Sequence, residues 1–149
     1  MINRWSGYNN TGICATGLIA VLAHTERLSL AKALLVMPLV MHDATVRYMG
    51  NGNVTVRDAA GLVAHRPDLF ANFNARFEES LAVTVNAIQL IVTAGYAAFD
   101  GSLALSEPPL TIDLSFGKRA QRIAKAANHI AEVLGSPVDE LYLNFRVQL

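Results

Sequence analysis

A single cysteine, Cys14, in 149 residues excludes an internal disulfide framework and any multi-thiolate zinc site. It fits a reducing, cytoplasmic setting. Charge is also sparse. Asp, Glu, Lys and Arg make up 16% of the chain, against about 25% in an ordinary soluble domain. The formal net charge is zero, which removes the self-repulsion that keeps small proteins apart. These two shortages predict that part of the surface is covered by another molecule; the alternative is a compact monomer whose surface is polar but uncharged. The opening Met1-Ile2-Asn3-Arg4-Trp5 lacks the basic stretch and apolar run of a signal peptide. Catalytic signatures are missing too. No Gly-x-Ser-x-Gly, phosphate loop, dinucleotide Gly-x-Gly-x-x-Gly or His-x-x-x-His spacing occurs. The expectation is therefore a protein that is not an enzyme and holds neither cofactor nor metal.

What the chain has is apolar mass: 52% of its residues, enough for the core of one domain. Three stretches invite comparison with a membrane span of about 20 residues. Residues 13–23 are too few, and 28–41 contain Lys32 and Pro38. Residues 80–99 are long enough but hold Thr84, Asn86, Gln89, Thr93 and Gly95, whose polar groups are costly in lipid. They read as a core or subunit-interface helix, with no membrane association.

The pattern predicts a mainly α fold with a small β-hairpin (α+β), in one domain. Its N-terminal helical part covers about 8–49. A helix-hairpin-helix part covers about 54–149, after the loop Gly50-Asn51-Gly52-Asn53. The first helix starts at Asn10 or Thr11 as cap, and the second after Leu28-Ser29, with Ser29 as cap. Pro38 kinks or ends the second. Thr55 and Asp58 suggest a capping arrangement for a short helix that places Ala59, Leu62 and Val63 inward and stops at Arg66-Pro67. The longest helix carries the stripe Leu69, Phe73, Phe77, Leu81, Val85, Ile88, Val92; its later half is apolar nearly all round, and Gly95 ends it. Asp100-Gly101 predicts a type I′ hairpin, Pro108-Pro109 an extended link, and alternating Ile112, Leu114 and Phe116 a short strand. The last helix spans 117–134 and stops at Gly135-Ser136-Pro137. Residues 138–141 read as a single turn and 142–149 as strand-like. The helices and hairpin of 55–105 can be drawn as a winged helix. Because the half of its helix nearest the hairpin is apolar, such a shape suits protein contact better than base reading.

Few side chains offer chemistry. His42-Asp43 has no convergent His or Asp ligands and reads as a histidine at a helix end, donating to a free carbonyl; the rival is a small metalloenzyme. Cys14, beside Ile13 and Ala15, reads as a core residue. Glu78 and Glu79 are adjacent and point to different helix faces. Lys118, Arg119, Arg122 and Lys125 form the one basic cluster. It reads as a solvated face, a protein-partner patch or a phosphate-contacting patch; the last would make binding steeply salt-dependent.

Several segments resemble a known family. Tyr8-Asn9-Asn10 precedes an apolar helix; Leu34-Leu35-Val36-Met37-Pro38-Leu39-Val40-Met41-His42 and Arg47 follow; then come Pro67-Asp68-Leu69-Phe70, Phe73, Arg76, a long apolar helix, a glycine and a hairpin. The chain closes with a helix and Tyr142-Leu143-Asn144-Phe145-Arg146. The set is similar to the middle component of three-component ABC (ABC-3C, Lamassu-type) systems, departing from it in its final residues. The resemblance implies a non-enzymatic adaptor of a bacterial anti-phage or anti-plasmid complex. It would link a structural-maintenance-of-chromosomes (SMC) or Rad50-like ABC ATPase to an effector such as a nuclease, restrain that effector, and meet DNA only through the complex. The alternative from the residues alone is a winged-helix DNA-binding regulator.

Overall fold

The computed structural model describes residues 4–106 and 117–148, the side chains of 4–9 excepted. Its first helix, α1 (Arg4–Leu22), has six consecutive buried residues from 17 to 22. A helix apolar all round must be enclosed on every side. α6 (Phe73–Thr93) and α7 (Gly117–Leu134) make its most extensive contacts, and α3 (Val36–Val40) also packs against it. Gly17 permits the close approach of α3: a Cβ there would come within 2.9 Å of Val40 Cγ2.

α1 begins well before Asn10 and Thr11, which lie inside the helix and are not its caps. Ser29 does cap α2 (Leu30–Ala33), its Oγ accepting from Lys32 N at 3.3 Å. The helical path then breaks at Leu34-Leu35, ahead of Pro38. Pro38 sits in the first turn of α3, where its missing N–H removes no helical bond. α4 (Asp43–Met49) follows, and α5 (Ala59–His65) is capped by Asp58, whose Oδ1 accepts from Gly61 N at 2.7 Å. Thr55 is not part of that cap. Ser136 Oγ accepts from Ala59 N at 3.0 Å and fixes α5 to the turn after α7. A 3₁₀ turn, Pro67–Phe70, leads into α6.

β1 (Leu28–Ser29), β2 (Ala97–Phe99) and β3 (Ser102–Leu105) form an antiparallel sheet in the order β1-β3-β2. The hairpin is not type I′. Its register pairs Phe99 with Leu103, leaving Gly101 at the tip, and Gly101 but not Asp100 takes positive φ. A type I′ turn needs both. Gly95, at φ +84°, ends α6 as its sequence position suggested. Pro108-Pro109 and the strand at 112–116 lie outside the described residues. α7 spans 117–134, with Ala120, Ile123, Ala127, Ile130, Ala131 and Leu134 buried. Residues 142–144 are not strand-like; they complete α8 (Val138–Asn144). Phe145, the C-cap of α8, packs on Phe70 and Phe73 at centroid distances of 4.6 and 5.0 Å, and the chain turns just after it at Arg146, φ +60°. The fold is mainly α, with one small sheet among the described residues, and its N- and C-terminal parts share a hydrophobic cluster.

Phe145 is fully buried between elements far apart in sequence. Phe145→Ala should cost about 3–5 kcal/mol, read as a lower urea midpoint at unchanged slope. A shift within error of wild type would contradict this packing.

Candidate functional site: an apolar groove and a basic notch

The expected core stripe of α6 divides in two. At 3.6 residues per turn, each i to i+4 step rotates about 40° around the axis. Phe73, Phe77, Ser80, Thr84, Ala87, Ile88 and Ile91 stay buried, whereas Leu81 is half-buried and Val85 is 44% exposed. Nor does the later half of α6 enter the core all round, since Leu90 is 49% exposed.

Leu81 and Phe77 instead form one wall of an open groove of about 930 Å³. Leu30, Ala31 and Leu34 supply a second wall, and Val138, Asp139 and Tyr142 a third. Tyr142 holds the walls in place: its hydroxyl donates to Ala31 O at 2.6 Å, and its ring meets Phe77 edge-on at 5.7 Å. Partial burial pushes the Tyr142 phenol pKa up, so it stays a donor at neutral pH. Leu30 and Val138 are exposed, and nearby on α8 Leu143 reaches 78% exposure. A concave, nearly all-apolar surface with these side chains open to water is of the kind that binds another protein.

The basic cluster is rearranged relative to its sequence order. Lys118, Arg122 and Lys125 are exposed along one face of α7. Arg119 points elsewhere, half-buried with Nη2 3.1 Å from Met41 Sδ. Its place is taken by Arg47 of α4. Arg47, Val46, Gly50, Arg122 and Lys125 line a notch of about 190 Å³. Sequence order could not reveal this partner, because Arg47 meets Arg122 and Lys125 only through the packing of α4 on α7.

His42 sits at a helix end as expected, between the C-cap of α3 and the start of α4, but the contact its ring makes is to a hydroxyl and not to a carbonyl. Its Nδ1 lies 2.9 Å from Thr45 Oγ1. Burial, followed by the Arg76 charge, lowers its pKa. Arg76 itself is structural: it donates to Pro38 O and Leu69 O and lies over the Phe73 ring. Among the described residues no group of three or more His, Cys, Asp or Glu is placed to hold a metal ion, and no helix is long and apolar enough to cross a membrane.

Cys14 lies in the core, 3.8 Å from Thr84 Oγ1, and burial pushes its thiol pKa up to about 12. The thiolate is the reactive form. The native protein should therefore resist Ellman's reagent at pH 8 and react once per chain in denaturant. Rapid labelling of the native protein would contradict the burial.

The model of the family described as ABC-three component (ABC-3C) system Middle Component 3 matches residues 13–149. The chain belongs to this family of middle components. Comparison with curated proteins and with solved structures finds no match.

Proposed function

We propose that this protein is a non-enzymatic adaptor of a bacterial anti-phage or anti-plasmid defence complex. It links an SMC- or Rad50-like ABC ATPase to an effector such as a nuclease and restrains that effector until the ATPase is activated. Family membership supports an accessory role in a system of several components. The observation that carries the reading is the groove between α2, α6 and α8. Its fitting occupant is an amphipathic helix of a partner subunit, with apolar side chains at i, i+3 or i+4, and i+7. A basic residue on that helix's flank would meet Asp139, which lines the groove.

The sheet takes in β1 from outside the 55–105 stretch drawn as a winged helix. A helix, a short strand, further helices and a hairpin whose second strand pairs with the first strand is the connectivity of β1-β3-β2 here. As a base reader, however, α6 is poorly suited. Beside Asn86 and Gln89 its exposed residues include Val85, Leu90 and the acids Glu78 and Glu79, which repel the phosphates that a reading helix must lie between. The shape serves protein contact.

Leu30 and Val138 are exposed, so Leu30→Asp and Val138→Asp should leave the thermal midpoint of the isolated protein nearly unchanged. Co-expressed with the ABC ATPase of its own system, the wild type should co-purify and the double variant should lose the complex at least about tenfold, which corresponds to about 1.4 kcal/mol. Undiminished co-purification would refute the groove as the contact. A wild type that remains a well-behaved monomer beside that ATPase would refute the adaptor reading.

A further inference from the structure

The notch between α4 and α7 draws together cations from two helices. Among the described residues no acid lies within ion-pair reach of Arg47, Lys118, Arg122 or Lys125. Elsewhere Arg27, Arg57 and Arg66 each pair with a carboxylate. All four are exposed, so water solvates them, and they remain open to an anionic ligand. The backbone favours their convergence. The Lys125 stem passes beside Gly50, within ordinary van der Waals distance (3.8 Å) of where a Cβ would stand. Arg47 is in the last turn of α4.

The line of charge identifies the ligand class. Lys118 and Lys125 are seven residues apart on α7, about 10 Å along the axis, longer than one phosphate. Among the described residues, Val46 is the single apolar residue lining the notch and no aromatic ring lines it. A nucleotide base would find nothing to stack on. We propose that the α4–α7 face is a phosphodiester-binding site: Arg47, Arg122, Lys125 and Lys118 contact successive phosphates of a nucleic-acid backbone without reading its sequence. This departs from the expectation that the protein meets DNA only through its complex, and it does not rest on the adaptor reading. Arg119, held against Met41, is not part of the site.

The test is fluorescence anisotropy of a labelled duplex of arbitrary sequence, titrated with the full chain between about 50 and 200 mM salt. Four contacts predict a slope of about −3.6 in log affinity against log salt, a loss of about 150-fold over that range. Arg47→Ala, Arg122→Ala and Lys125→Ala should each reduce the slope by about 0.9. Arg119→Ala should leave it unchanged. Circular dichroism monitors the fold of each variant. Inorganic pyrophosphate provides the second arm and should compete only weakly. No binding at low salt, a slope near zero, or an Arg119→Ala effect equal to that of Arg47→Ala would overturn the proposal. So would pyrophosphate binding more tightly than the duplex at matched salt, since that would assign the notch to a small phosphate compound.

Discussion

A helix with no polar face cannot border water, and α1 is such a helix from 17 to 22. The surrounding architecture follows from its need for enclosure. α6 and α7 flank it, α3 closes on Gly17, and β3 adds a further contact. The chain must therefore spend its two long later helices on covering α1. Each presents one face to it and leaves the opposite face for something else. On α7 that face is cationic; on α6 it carries apolar residues together with the acids Glu78 and Glu79.

That division of faces gives the molecule its functional character. A chain with only 16% charged residues concentrates four cations on the α4–α7 face and lines the α2–α6–α8 groove almost entirely with apolar side chains. The fixtures around both sites are structural. Arg76 ties the Pro38 and Leu69 carbonyls together, Tyr142 bridges to Ala31, and Ser136 receives Ala59 N–H. Several motif residues of the family resemblance are among these fixtures. Pro67–Phe70, Phe73, Arg76 and Phe145 join the end of the chain to its middle.

Much of this was legible in the sequence where a local rule governs. The limits of α7 follow from its one-sided stripe and from Gly135-Ser136-Pro137; the ends of α2 and α6 follow from Ser29 and Gly95. The α6 stripe misled because i, i+4 spacing drifts around the helix: Leu81 packs at the edge of the core and lines the groove, and Val85 is exposed. Asp58 displaced Thr55 as a cap because it is the residue immediately before the helix. The C-terminal helix was read too short, as a turn at 138–141, because Tyr142 and Leu143 suit a strand as readily as a helix when judged by hydrophobicity alone. Arg47 was missed as a partner of the basic cluster because 75 residues separate it from Arg122, and only tertiary packing brings them together.

The central claim is that the apolar groove is a seat for another subunit. Hydrogen–deuterium exchange on the protein alone and in the presence of the proposed ABC ATPase partner tests it directly. The account predicts added protection concentrated in α2, α8 and the 77–85 stretch of α6, with α1 already protected in both states. Protection confined to α5 or the hairpin tip, with the groove exchanging as freely as before, would contradict it.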